Sequence, residues 1–238
     1  MNAAATANLR AAREADRESA RFAAYIAHEL RTPLATQRVL LELALADPDA
    51  DVTGWQEIGE DVLGACKQQE RLLEACLALA RSQTGLTRCE TLDLGSVVAD
   101  LLRAGDPGDL TMRSKLESAP TTGDPALIER LVDNLLENAV RHNRPDGWIE
   151  VTTRQSETNA WLTVENTGPP IPVGWLMRLF EPFQQITDHG PHPAGGLGLG
   201  LAVTKAVADA HDAHITAHAR PGGGLRVEVA FPPANRAQ

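Results

Sequence analysis

The chain has no surplus of basic residues: 22 Lys and Arg face 32 Asp and Glu, for a formal net charge of −10. Such a balance offers a phosphate backbone no electrostatic attraction, which argues against a nucleic-acid partner. Cysteine is scarce as well. The three present, Cys66, Cys76 and Cys89, are odd in number and lack metal-ligand spacing. Cys66 and Cys76 fall within apolar helical patterning, so they read as buried, reduced thiols in a reducing compartment. No apolar run approaches the about eighteen residues of a membrane span, and the N-terminus has no signal-peptide core. The expected location is the cytoplasm, with any membrane segment lying ahead of Met1. Two phosphate-binding signatures are also missing. There is no G-x4-G-K-[ST] loop, and the dinucleotide fingerprint that Gly196 and Gly198 would begin fails at Leu201.

What is present is ordinary globular chemistry, 43% hydrophobic and 23% charged over 238 residues, enough for one large core or two small ones. Residues 3–82 read as helix. Ala3 to Arg21 is rich in Ala, Arg and Glu and resembles a solvated helix. Phe22, Ile26, Leu30, Leu34, Leu40, Leu41, Leu43 and Leu45 then supply an apolar pattern. "DPDADVTG" (47–54) is a turn in which Pro48 ends one helix and Asp51 or Thr53 caps the next. Trp55, Ile58, Val62, Cys66, Leu73, Cys76 and Leu77 continue at a spacing of about 3.5 residues. Two amphipathic helices joined by a short turn form an antiparallel hairpin that cannot bury its stripe alone. Pairing two copies into a four-helix bundle solves this, so a homodimer is expected. Within the first helix, "AHELRTPL" places His28, Glu29 and Arg31 just ahead of a helix-breaking Pro33.

After the polar break "RSQTG" (81–85) the texture changes. Strand alternation marks 148–154, 160–166, 214–219 and 225–231, with helices over about 95–104, 125–142, 174–180 and 198–211. This alternation predicts a separate α/β two-layer sandwich, with helices on one face of a largely antiparallel sheet. The domain expectation is a helical hairpin over 1–82, a linker over 83–89 and a sandwich over 90–238.

The helix at 125–142 begins with Asp124 as N-cap and Pro125 at its first position. Ile128, Val132, Leu135, Leu136, Ala139 and Val140 share an arc of roughly 140°, leaving Asn134, Asn138, Arg141 and His142 on the other side. Asn is a poor interior helix residue, so two of them one turn apart suggest a site. An amide oxygen can coordinate Mg²⁺ and an amide NH₂ can donate to phosphate, without adding negative charge beside a polyphosphate. Solvated asparagines remain the alternative. "GGLGLGLAV" (195–203) sets Gly195, Gly196, Gly198 and Gly200 ahead of a helix, where backbone N–H groups can approach an anion. A flexible loop explains the same glycines. "VENTGPPIP" (164–172) leaves a strand at Asn166 and turns at Gly168, either as a base-reading edge or as a plain turn.

Taken in order, "HELRTPL", "NLLENAVRHN", "ENTGPPIP", "LFEPF" (179–183), "GLGLGL" (196–201) and "GGGLRVEV" (222–229) resemble the bacterial sensor histidine kinases over roughly residues 20–232. The resemblance implies a multi-domain α and α+β protein: a dimerising phosphoacceptor hairpin, then an ATP-binding sandwich of the gyrase and heat-shock ATPase kind. It implies ATP and Mg²⁺ as cofactors, and a response regulator receiver domain as partner. His28 is implied to be the phosphoacceptor, Glu29 its neighbouring base, and Thr32 the residue that orients water for dephosphorylating the regulator. Asn138 is implied to bind Mg²⁺, with Asn134 and Arg141 near the phosphates and His142 at the nucleotide edge. Asn166, Gly168 and Ile171 would lie at the adenine. Phe183 would open a lid that Gly196, Leu197, Gly198, Leu199, Gly200 and Leu201 close.

The residues give these roles a physical basis. Imidazole is the side chain that can be neutral and nucleophilic near neutral pH. Glu29 can hold the proton of one ring nitrogen while the other attacks a γ-phosphate in line. Pro33 lacks an N–H, so the Glu29 carbonyl loses its helical partner and the helix is expected to bend. Thr32 shares the face of His28. Three positions depart from the family pattern. Asn166 stands where an aspartate is usual, implying weaker nucleotide binding. Pro170 replaces a glycine, and the lid "QQITDHGPHPA" (184–194) carries no Lys or Arg, leaving His189, His192 or Arg178 to supply a cation. His211, His214 and His218 lack cysteine or carboxylate company and read as surface histidines, not metal ligands. The expected activity is autophosphorylation of His28 and transfer to a regulator aspartate, with phosphatase activity toward that regulator. The alternatives are a phosphatase-dominant or weakly active regulator on the same fold, and a dimeric adaptor with a relic nucleotide fold.

Overall fold

A computed structural model of the chain describes residues 26–28, 30–46, 51–84, 86, 88–105, 108–184 and 198–234. The solvated helix expected over Ala3 to Arg21 and the turn residue Pro48 lie outside the described residues. The chain divides into two compact units, Met1–Glu74 and Ala75–Gln238, the division falling inside a long helix. Among the described residues, no helix is long and apolar enough to cross a membrane.

The first unit is the expected antiparallel hairpin. Residues 26–28 and 30–46 are helical (α1), and the helix continues through Pro33. The second helix, α2, spans Val52–Thr84. Asp51 caps it, its carboxylate accepting from the Gly54 N–H at 2.8 Å and its carbonyl from Trp55 at 3.1 Å. A polar ladder crosses between the helices. The Gln37 amide, 8% exposed, donates to the Val62 carbonyl at 3.4 Å and to Gln69 Oε1 at 3.5 Å. Gln69 in turn donates to the Leu30 carbonyl at 3.5 Å. Pairing Leu30 with Gln69 and Gln37 with Val62 fixes the antiparallel sense. Leu34, Leu41, Leu45, Trp55 and Leu63 stay exposed in the single chain.

The second unit contains a five-stranded sheet in the order β2-β4-β5-β7-β6, with strands Thr111–Leu116 (β2), Trp148–Gln155 (β4), Ala160–Asn166 (β5), His214–Ala219 (β6) and Leu225–Phe231 (β7). The β2–β4 pair is parallel and the remaining pairs are antiparallel, so the sheet is mixed. A separate ribbon pairs Glu90–Asp93 (β1) with Pro120–Gly123 (β3). The sequence pattern missed β1, β2 and β3. The first and third have four residues each, and β2 is a polar edge strand.

Strand register explains the two layers. Rows such as Val151–Val164–Val227 and Thr153–Leu162–Val229–Ile215 align buried side chains on one face. Helices Leu94–Ala104 (α3), Pro125–Arg141 (α4) and Gly200–Ala210 (α5) cover that face. Leu94, Val98, Ile128, Leu131, Leu135 and Val203 fill the space between the layers. Each fully buried Leu or Ile there contributes roughly 1.5–3 kcal/mol relative to exposure. The opposite face carries the rows Arg113–Glu150–Glu165–Arg226–His218 and Lys115–Thr152–Thr163–Glu228–Thr216.

Asp93 caps α3 and also accepts from the Ala119 N–H at 2.7 Å, tying the ribbon to the helix. Asp124 caps α4, accepting from Ala126 at 3.0 Å and Leu127 at 3.4 Å, with Pro125 at the start as the sequence predicts. The segment expected as a helix over 174–180 is a 3₁₀ turn, Val173–Arg178.

Candidate functional site

In the hairpin, His28 is exposed on α1. Thr32 lies one turn on, and its hydroxyl donates to the His28 carbonyl at 3.3 Å. Thr36 repeats the contact to the Thr32 carbonyl at 3.2 Å. The two residues therefore share a solvent-facing stripe, as their spacing requires. Glu29 lies outside the described residues.

In the second unit the site is built on α4, and its asparagines are not placed as a one-sided helical wheel expects. Asn134 is buried, only 5% exposed, whereas Val140 from the predicted apolar arc is 39% exposed. The reason is that α4 packs against both the sheet and α5, so its buried arc turns toward Asn134, Leu127 and Leu131. Asn134 meets the first residue of α5: a Cβ on Gly200 would sit 3.8 Å from its Oδ1. Its Nδ2 is buried and has no hydrogen-bond partner among the described residues. A buried amide nitrogen without a partner is unfavourable by about 1–3 kcal/mol, and its residue lies beside the glycine entry to a helix, where an anion is favoured. Asn138, one turn further along, is half-buried, while Arg141 and His142 are exposed.

The C-terminal end of α4 meets the loop after β5. A Cβ on Gly168 would stand 2.4 Å from the His142 carbonyl, so only glycine allows this approach. Asn166, 3% exposed, ends β5 on the helix-covered face. Its Nδ2 donates to the Thr167 carbonyl at 2.7 Å, which leaves Oδ1 as the acceptor it can present. Ile171 is half-buried beyond the turn.

At the other end, the Phe183 N–H donates to the Gly198 carbonyl at 2.9 Å, joining the segments that flank residues 185–197. Phe183 holds φ at 66°, a left-handed conformation uncommon for an aromatic residue and typical of functional turns. Gly198 has φ +66, and its missing Cβ would lie 2.8 Å from the Gln184 carbonyl. Leu199 is buried and Leu201 half-buried at the start of α5. Gly196, Leu197, His189 and His192 lie outside the described residues. Arg178 is already engaged, donating to Gln184 at 2.9 Å and stacking on Trp175 at 5.0 Å.

Several supporting residues carry no periodic signal. Asn143 donates to the Ala139 carbonyl at 3.1 Å and the Trp148 carbonyl at 3.2 Å, and accepts from the Thr167 hydroxyl at 2.6 Å. The Thr167 hydroxyl also accepts from the Trp148 N–H at 2.8 Å. This knot ties the end of α4 to β4 and β5, and Gly147 leaves room for it: a Cβ there would meet Asn143 Oδ1 at 2.0 Å. The "NRPDG" turn signature was the one available hint.

His211 is not the surface residue expected. It is 4% exposed, its Nε2 accepts from the Asp124 N–H at 3.0 Å, and its Nδ1 contacts the Val207 carbonyl at 2.7 Å. Both nitrogens are used by one neutral tautomer, and burial pushes the imidazole below its ordinary titration range. The residue is a structural pin between α4 and α5 because it replaces water with two backbone partners. Among the described residues, no group of three or more His, Cys, Asp or Glu side chains could hold a metal ion. Burial likewise raises the Cys76 thiol.

Residues 18–85 match the "His Kinase A (phospho-acceptor) domain", and residues 123–235 match the "Histidine kinase-, DNA gyrase B-, and HSP90-like ATPase" family. Sensor protein CutS of Streptomyces coelicolor is 39% identical over 89% of this chain and 52% of its own length. The signal transduction histidine-protein kinase/phosphatase MprB of Mycobacterium avium is 34% identical over 94% of this chain and 42% of its own. The chain thus spans about half or less of these relatives. The solved histidine kinase ThkA, in complex with response regulator protein TrrA, shares the fold at a TM-score of 0.68 and 20% identity, over 95% of this chain and 65% of that one.

Proposed function

The chain belongs to the sensor histidine kinase family, and on that premise we propose that it phosphorylates its own His28 from ATP and passes the phosphoryl group to an aspartate of a response regulator. The lone pair of one His28 ring nitrogen attacks the terminal phosphorus in line, and an N–P bond forms as the bond to the bridging oxygen of the ADP leaving group breaks. The proton on the other ring nitrogen goes to Glu29. A receiver carboxylate then takes the phosphoryl group and the ring regains its proton. Thr32, on the same stripe as His28, serves the opposite task, orienting the water that removes phosphate from the regulator.

The nucleotide falls to the second unit. Asn134 and Asn138 face the phosphates with uncharged amides, with Arg141 near the phosphates and His142 at the nucleotide edge. Asn138 is the side chain that would hold Mg²⁺, which would supply positive charge to offset that of the phosphates. Asn166 Oδ1 accepts from the adenine amino group, with Gly168 and Ile171 shaping that end. Phe183 and the stretch from Gly196 through Leu197, Gly198, Leu199 and Gly200 to Leu201 close over the triphosphate. The domains run over 1–82, 83–89 and 90–238. The exposed Leu34, Leu41, Leu45 and Leu63 support a homodimer in which a second hairpin completes a four-helix bundle. The location is cytoplasmic, with a sensor segment outside this sequence linking it to the membrane. A response regulator partner is supported by the ThkA–TrrA complex of a protein of the same fold.

One observation carries the reading: Asn134, beside the glycine start of α5, has a buried amide nitrogen without a partner among the described residues. The test is incubation with ATP labelled at the γ-phosphate and Mg²⁺. Acid-labile, base-stable label on the protein is expected, absent in His28→Ala. Equal labelling of that variant rejects the proposal.

A further inference from the structure

Arg220 lies outside the nucleotide machinery, at the end of β6 and on the sheet face away from the helices, yet it touches all three segments that frame the Asn166–Gly168 loop. Its side chain is 20% exposed, and its Nε pairs with Glu165 Oε1 at 2.6 Å, one residue before Asn166. Its Nη1 donates to the Gly223 carbonyl at 2.9 Å. Its guanidinium also stacks on Trp148, 4.5 Å from the ring centroid. Each partner bears on the loop. A Cβ on Gly223 would lie 2.3 Å from the Gly168 carbonyl, and one on Gly224 would lie 2.0 Å from the Asn166 carbonyl. Gly224 N–H donates to Pro169 at 3.0 Å. The Trp148 carbonyl accepts the Thr167 N–H at 3.1 Å, and the Trp148 N–H donates to the Thr167 hydroxyl.

We propose that Arg220 is a positioning residue for base recognition: by tying Glu165, the Gly223 turn and Trp148 together, it holds the Asn166–Gly168 backbone where the Asn166 amide meets adenine. The planar guanidinium makes both polar bonds while stacked on the indole, a combination lysine lacks. Without it the β6–β7 turn loses its side-chain tie and the loop it backs shifts. The effect falls on the base end of the pocket, because the phosphate end is built on Asn134, Gly198 and Gly200. The inference rests on the reading of this loop as the adenine side.

The test uses the full chain with Mg²⁺ and displacement of a fluorescent ATP analogue by ATP, GTP or inorganic tripolyphosphate. Arg220→Met keeps the apolar stem over Trp148 and removes the polar bonds. It is expected to weaken ATP binding about tenfold, the scale of losing charge-assisted contacts in a part-buried site. The preference for ATP over GTP should shrink while tripolyphosphate affinity stays the same. Arg220→Lys gives an intermediate loss and carries the test should the Met variant fail to fold. Arg226→Met, which removes an exposed partner of Glu228 on the same face, leaves the preference intact. Unchanged ATP affinity, or a parallel fall in ATP and tripolyphosphate, overturns the assignment to Arg220. A wild-type chain that binds tripolyphosphate but shows no preference for ATP instead overturns the adenine-side reading beneath it.

Discussion

Asn134→Leu should make the protein more stable and unable to bind nucleotide. The wild-type amide is 5% exposed and its Nδ2 has no partner among the described residues. A buried donor left unpaired is unfavourable by about 1–3 kcal/mol, and a leucine, branched in the same shape, removes it. Even a Cβ placed on Gly200 would lie 3.8 Å from the amide oxygen, so the methyl group that replaces that oxygen has ordinary contact distance to this residue of α5. Taking ~1.5 kcal/mol as the central gain, a domain of about 150 residues gains roughly 3–6 °C in Tm. Nucleotide acts in the opposite sense. Ligand at a hundred times its Kd adds about 2.7 kcal/mol to the wild type, or roughly 5–11 °C, and adds nothing to the variant. The assay is thermal unfolding by tryptophan fluorescence with and without Mg²⁺ and ATP; Trp148, Trp161 and Trp175 report from the second unit. A ligand-free Tm that falls by several degrees would mean the amide is satisfied in the fold. A retained ATP shift would mean it has no part in the site. Either result refutes the reasoning.

Other outcomes follow from the same structure. His211 is neutral in the fold and its pKa lies below the ordinary 6.5, so the unfolded chain takes up its proton first as pH falls. Its contribution is fully present above about pH 6.5 and is lost progressively on acidification toward the folded pKa. In urea melts across that window, His211→Gln should show a shallower acid-side loss than wild type, and equal slopes would contradict the assignment. Gly224 sits at φ +97 with the Asn166 carbonyl 2.0 Å from any Cβ. Gly224→Ala should therefore destabilise by more than about 2 kcal/mol, whereas Gly174→Ala, with nothing within 4 Å, should be near neutral in the same melts. Thr32→Ala should abolish phosphate release from a phosphorylated regulator while sparing label on His28; unchanged release would remove Thr32 from that role.

The sequence made the large periodic elements legible. β4 to β7 and α3 to α5 carry clean alternation or an apolar stripe because each buries one face. β2 escaped because Arg113, Ser114 and Lys115 interrupt any alternation in an edge strand. The asparagines were legible as a site but not in their placement. A helical wheel knows one buried face, and Asn134 is buried by a second neighbour, α5. His211 was misread for a related cause: its two partners, Asp124 and Val207, come from different elements. The Asn143–Thr167 knot and the Arg220–Glu165 pair escaped because their partners are far apart in the chain and meet only once the sheet forms.

The most direct test of the account is to locate the phosphoryl group by mass spectrometry, under alkaline conditions, after incubating the chain with Mg²⁺ and ATP. A single modified site on the His28 imidazole is expected in the wild type, with none in Asn138→Ala. Phosphate on any other side chain, or on His28 at wild-type levels in that variant, contradicts it.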